Sequence, residues 1–302
     1  MKIPTALKFD QKHHSALSRI FSPLVLDSIA NTGGSTYLTE VFKKCGLVDQ
    51  LPISTPFTIF LELIYNFLIK HYRNEYVYKN AIANKILLGK HSLKTAQMLT
   101  EFRAGTCKAD VVILNGSATV YEIKSEYDSF KRLEKQIGEY LKVFDQINVI
   151  TSESQVIKLK SLLPREIGIQ VLTRPYTIKT VRKSNSNLGN INAEVLFDSL
   201  RKNEYLTVIK DFYGSIPKLP NTLLFKACKE LYCRIPLETM YDHTVRVLRN
   251  RGNNALLKDY LQQIPLSLTA YALGIGTKGR NFEQLTSLLE KRLDQCLSPG
   301  VI

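Results

Sequence analysis

The chain has 302 residues, is 44% hydrophobic and 23% charged, and carries a formal net charge of +14. This describes a globular protein long enough for two domains and excludes disordered or collagen-like chains. The positive excess points to a polyanionic partner, nucleic acid before others, against the plainer reading of a solvated basic surface.

In chain order, residues 1–54 read as short helices that extend a downstream core. Residues 1–30 lack a continuous apolar stretch and carry charges throughout, so no secretory leader is expected. His13-His14 is an isolated pair without metal-ligand spacing. Residues 61–69 are strongly apolar but fall far short of the ~20 needed to cross a bilayer, so no membrane partner is expected. Residues 71–80 interleave aromatic and basic side chains. Arg73 and Lys79 are therefore candidate contacts to nucleic acid, with ordinary tyrosine packing as the alternative.

Residues 108–124 carry the chemistry. Two short runs rich in Val, Ile, Ala and Leu flank Asn115-Gly116 and read as an antiparallel hairpin. Asp110 opens the first run, and Glu122 and Lys124 share one face of the second because side chains alternate along a strand. Loop length decides whether Asp110 joins them. A two-residue loop would set Asp110 against Tyr121, whereas a three-residue loop, Asn115-Gly116-Ser117, would set it opposite Glu122. Two carboxylates beside a lysine form the minimum set for metal-assisted phosphodiester hydrolysis. A turn cap at Asp110 and a surface ion pair between Glu122 and Lys124 is the blander alternative.

Phe130, Leu133, Ile137, Leu141 and Phe144 recur at helical spacing, with Asp128 or Ser129 placed to cap the amino end. Gln136 and Tyr140 share one face of that helix, and Arg132 lies one turn earlier. A strand over 147–151, a short helix over 153–163 and a strand over 167–172 complete a crossover pattern onto a sheet buried on both faces. Arg174, Arg182 and Lys183 then form a basic stretch suited to phosphate. The polar run 184–190 reads as a linker. Residues 191–302 read as an α-helical domain punctuated by prolines, with a basic glycine loop over 274–280 that lacks P-loop spacing. This domain is a candidate for contact with DNA, a protein partner or a second copy in a homodimer. The five scattered cysteines, with Cys228 and Cys233 in no zinc pattern, fit a reducing cytoplasm.

Asp110, the Glu122-Ile123-Lys124 triplet and the helix with Gln136 and Tyr140 resemble the core of the PD-(D/E)XK nuclease superfamily, specifically its RecB-like branch. Glu101-Phe102-Arg103 ahead of Lys108-Ala109-Asp110 is similar to a family of mostly uncharacterised bacterial and phage proteins within it. The resemblance spans roughly residues 55–175, and Ala109 stands where the superfamily name has proline. It implies an α/β, restriction-endonuclease-like core, a mixed central sheet flanked by helices, over 55–183. It further implies Asp110, Glu122 and Glu101 as ligands of Mg2+ or Mn2+, Lys124 and Gln136 as catalytic residues, and Tyr140 and Arg132 near DNA. The expected activity is metal-dependent DNA hydrolysis, in phage defence or a mobile element. A catalytically silent nucleic-acid-binding or regulatory protein is the alternative.

Overall fold

The computed structural model describes residues 3–251, 261, 263–275 and 280–298. Most of the glycine loop anticipated over 274–280 lies outside the described residues. The chain divides into two compact units, one built from residues 1–85, 174–177 and 253–302, the other from 86–173 and 178–252.

The first unit is helical. Its longest described helix, Phe57–His71, buries Phe57, Phe60, Leu61, Ile64, Tyr65, Phe67 and Leu68, the three- and four-residue spacing of a helix with a wide apolar face. The end of the chain closes back on its start within this unit. Phe57 N donates to Lys291 O at 2.8 Å, Leu293 N donates to Thr55 O at 2.9 Å, and Asn80 Nδ2 donates to Leu266 O at 2.6 Å. The expected boundary at residue 55 is therefore displaced. Residues 55–85 cluster with the amino-terminal helices and the last fifty residues, because their apolar faces and backbone donors are satisfied there.

The second unit is an α/β assembly around a six-stranded mixed sheet in the order β1-β2-β3-β4-β5-β6. The strands are β1 Gln97–Ala104, β2 Cys107–Asn115, β3 Ser117–Lys124, β4 Gln146–Thr151, β5 Gly168–Leu172 and β6 Ile178–Arg182. The β3/β4 and β4/β5 pairs are parallel and the others antiparallel. Helices Leu133–Tyr140 and Val156–Leu162 make the two crossovers that parallel neighbours require. The first is shorter than the periodicity predicts. Its N-cap is Arg132, because the Asp128 carboxylate is used in the preceding turn, where it accepts from Ser125 N at 2.8 Å and Ser125 Oγ at 2.6 Å.

The expected linker is not a linker. Asn187 N donates to Asp145 O at 2.9 Å, and Asn187 Nδ2 donates to Leu141 O at 2.7 Å and Phe144 O at 2.9 Å. The polar run 184–190 is thus fastened to the carboxyl end of the first crossover. The helices that follow do not form a separate domain through residue 302. Helix Leu237–Arg249 places Tyr241, Thr244, Val245 and Leu248 in one apolar core with Phe102, Val112, Leu114, Ala118 and Phe144. Tyr241 fixes this packing with its hydroxyl, which accepts from Ala118 N at 3.3 Å and Asp145 N at 3.0 Å. The division falls near residue 252, where the helices on the sheet give way to the segment that belongs to the first unit.

Candidate functional site

The β2–β3 hairpin has the odd register. Its pairs run from Asn115↔Ser117 to Val111↔Tyr121, with Gly116 alone at the apex at φ 72°, a conformation that glycine adopts without steric cost. The next position in that register sets Asp110 opposite Glu122. Backbone pairing stops there. Instead, Ile123 N donates to Asp110 Oδ2 at 2.7 Å.

The β1–β2 register adds a third acid. Between the pairs Thr100↔Val111 and Phe102↔Ala109, Glu101 faces Asp110. Glu101 takes φ 53°, one of two described non-glycine residues with positive φ. The core positions on β1 are Leu99, Phe102 and Ala104, and on β2 they are Ala109, Val112 and Leu114. On both strands the two-residue alternation slips by one at the Glu101–Asp110 position, so the acids leave the pleat together. A carboxylate oxygen of Glu101 and one of Asp110 lie within 4.8 Å of each other. Glu101, Asp110 and Glu122 thus form a row across three adjacent strands.

Glu122 and Lys124 are buried at 1% and 7% exposure, which removes the reading of an edge-strand surface pair. Lys124 Nζ donates to Glu122 Oε1 at 2.6 Å and to Gln136 Oε1 at 3.0 Å. Tyr140 donates its hydroxyl to Glu122 Oε2 at 2.6 Å and sits 2.9 Å from Lys108 O. Gln136 and Tyr140, four residues apart, bring both contacts from one helical face. Burial, followed by the nearby Glu122 charge, raises the Tyr140 pKa far above the ordinary phenol range, so the hydroxyl stays a neutral donor. Thr151 Oγ1 donates to Lys124 O at 2.6 Å and anchors the strand end.

The expected nucleic-acid contacts fare differently. Tyr140 is fully buried and belongs to the acid network rather than to a DNA surface, because its hydroxyl supports Glu122. Arg182 donates to Ile167 O at 2.8 Å and Pro164 O at 2.9 Å, which ties down the segment between the second crossover helix and β5. Lys79 pairs with Glu75 at 2.6 Å, and Arg73 donates to Ile69 O at 2.8 Å and Arg174 O at 2.9 Å. The aromatic residues of 71–80 pack inward. Tyr78 is buried, and Tyr76 stacks on Phe21 at 5.0 Å and donates to Ser267 O at 2.6 Å. Arg132, Arg174 and Lys183 are exposed. Tyr140 as a partner of Glu122 is the role that sequence reasoning missed; its i, i+4 relation to Gln136 was the available signal.

The profile of the family described as Bacteriophage P4 protein cII matches residues 69–267. The chain belongs to this family. The matched region holds all six strands and the whole cluster from Glu101 to Tyr140. Protein cII of Enterobacteria phage P4 is 24% identical over 182 residues, covering 58% of this chain and 67% of that protein. Among solved structures, SPO1766, a protein of unknown function from Silicibacter pomeroyi, is similar at 19% identity and a TM-score of 0.27, covering 55% of this chain and 83% of its own. That score is too low to bear on the fold. For this cII-family chain, function therefore has to be read from the cluster itself.

Proposed function

We propose that this cII-family protein is a metal-dependent nuclease of the PD-(D/E)XK type, with DNA as substrate. The observation that carries this reading is the row of Glu101, Asp110 and Glu122 on three adjacent strands, with Lys124 two residues beyond the last acid and bonded to it.

The donor set fits a hard divalent cation, because all the available ligand atoms are carboxylate oxygens. Two oxygens on one Mg2+ at about 2.1 Å lie no more than ~4.2 Å apart, and the Glu101 and Asp110 oxygens are already within 4.8 Å. Glu122 also keeps capacity, since each carboxylate oxygen has two lone pairs and Lys124 and Tyr140 use one on each. Mg2+ or Mn2+ would be held by Asp110 and Glu122 with Glu101. When bound, such an ion supplies Lewis-acid polarisation of a phosphoryl oxygen and a more acidic water.

The protein's own residues supply the rest. Lys124 is a buried ammonium that Glu122 and Gln136 aim into the cluster, where it orients the attacking water and offsets charge developing on phosphate. Tyr140 holds Glu122 in one rotamer, so the carboxylate needs little reorganisation.

Purified protein incubated with linear, nicked and single-stranded DNA and Mg2+ or Mn2+ tests the proposal. Cleavage that chelator abolishes and Lys124→Ala removes is expected. DNA left intact under every condition, or cleavage unchanged by Lys124→Ala, rejects it. The second reading, a nucleic-acid-binding protein without turnover, is favoured by one observation: both Glu122 oxygens already accept strong hydrogen bonds inside the fold. Binding that survives Asp110→Asn and Glu122→Gln, with no cleavage, would select it.

A further inference from the structure

Strand pairing carries the line of the cluster across the rest of the sheet. Lys124 pairs with Thr151, Thr151 with Val171, and Val171 with Lys179. Paired residues share a face, so Lys179 on the edge strand β6 stands on the same face of the sheet as Lys124. The irregularity in the β5–β6 register lies at Ile169 and Gln170, outside this row. Three strand spacings of about 4.8 Å put the two lysine backbones ~14 Å apart, about four base steps along duplex DNA at 3.4 Å each. The row also runs through the carboxyl ends of the parallel strands β3, β4 and β5, where open α/β sheets take their ligands.

Thr151 and Val171 are buried, whereas Lys179 is exposed. Lys158, exposed on the second crossover helix, lies over the Phe130 ring, 5.0 Å from its centroid. Phe130 belongs to the segment that leaves β3, so Lys158 reaches from the β4–β5 crossover toward the strand that holds Glu122 and Lys124. The charge around the row is one-sided. The stretch 125–135 is neutral, with Lys131, Arg132 and Lys135 against Glu126, Asp128 and Glu134. Residues 151–173 and 178–183 instead carry Lys158, Lys160, Arg165, Lys179, Arg182 and Lys183 against Glu153 and Glu166 alone. A polyanion that extends from the acid cluster is attracted toward this second side.

We propose that Lys158 and Lys179 form a phosphate track that carries duplex DNA from the acid cluster across the carboxyl ends of β3, β4 and β5 to β6. The proposal rests on reading that cluster as a site that acts on DNA, and it gives the direction in which the substrate extends from it. Both lysines bind phosphate here and take no part in bond cleavage.

The test is fluorescence anisotropy of the full chain with a labelled DNA duplex in chelator, over a series of salt concentrations, so that binding is read without turnover. Each phosphate contact steepens the dependence of log affinity on log salt by about 0.9, which at ~0.1 M salt is worth about 8-fold in affinity. Lys158→Ala and Lys179→Ala should each weaken binding about 5- to 10-fold and lower the slope by about one, and the double variant should lower it by about two. Lys179→Arg should keep the wild-type slope. So should Lys218→Ala, a change at an exposed lysine on the turn between helices Lys202–Tyr213 and Asn221–Cys233. The track is overturned if Lys158→Ala or Lys179→Ala keeps the wild-type slope, or if Lys218→Ala lowers it as much. It is equally overturned if wild type does not bind the duplex. DNA cleavage by a protein whose slope ignores both lysines would remove the track and leave the nuclease reading. The expected slopes from a protein that never cleaves would do the reverse.

Discussion

Replacing Tyr140 with phenylalanine isolates the hydroxyl that joins the crossover helix to Glu122. The ring is fully buried, so the substitution opens no cavity larger than one oxygen and leaves the apolar contacts in place. What is lost is a 2.6 Å bond to a buried carboxylate and a 2.9 Å contact with Lys108 O. A hydrogen bond to a charged group contributes roughly 1.5–3 kcal/mol. The hydroxyl has a single proton, which goes to Glu122, so Tyr140→Phe should destabilise the sheet-bearing unit by roughly 1.5–3 kcal/mol. At about 2–4 °C per kcal/mol for a unit of this size, its calorimetric transition should fall by roughly 3–12 °C. The accompanying control is a double-mutant cycle with Glu122→Gln, which removes the charge the hydroxyl serves. The two changes should be less than additive by about 1 kcal/mol or more. A Tyr140→Phe transition within about 2 °C of wild type, or strict additivity in the cycle, would show that the hydroxyl does not support Glu122.

Three further outcomes follow from other parts of the fold. Arg251 makes a bidentate pair with Glu204, both bonds at 2.7 Å, and lies over the Phe102 ring at 4.9 Å; Arg251→Met leaves a buried carboxylate unpaired and should cost about 3–5 kcal/mol in urea unfolding, whereas a loss under 1 kcal/mol would contradict that. Gly105 has φ 56°, and a Cβ there would meet the Glu139 Oε2 that accepts from Thr106 N at 3.0 Å. Gly105→Ala should therefore destabilise by about 1–3 kcal/mol, and an unchanged urea midpoint would refute the strain. Burial raises the phenols of Tyr121, pushed up to about 12, and of Tyr140 and Tyr241. Their folded pKa values exceed the unfolded value near 10, so their contribution to stability is whole below pH ~10 and is lost as pH climbs toward the folded values. Urea midpoints should drop between about pH 10 and 12, and a flat profile would count against neutral buried phenols.

The local pattern around the cluster was legible from residue order alone. Asn115-Gly116 announced the hairpin, alternation put Glu122 and Lys124 on one face, and helical spacing paired Gln136 with Tyr140. Strands β4 and β5 were legible because both are short runs rich in Ile, Val and Leu, interrupted only by Asn148 and Gln170 and bounded by turn signals. The two outer strands were not. β6, Ile178–Arg182, is short and largely exposed, and β1 breaks its alternation at Glu101, where φ is positive. Long-range closure was illegible for a different reason. The run 184–190 has a linker's composition, yet its asparagine and serine side chains satisfy backbone, amide and carboxylate partners more than thirty residues away. Nothing in a local window distinguishes a polar residue that is solvated from one that is bonded across the fold. The same holds for residues 253–302, whose apolar stripes read as a continuation of the preceding helices but cluster with the first unit instead.

Diffraction from crystals soaked in Mn2+ tests the central claim most directly. The account predicts an anomalous peak within about 2.0–2.3 Å of carboxylate oxygens from both Asp110 and Glu122, lost in Asp110→Asn. A fully loaded crystal with no peak at these acids, Glu122 still held by Lys124 and Tyr140, would contradict it.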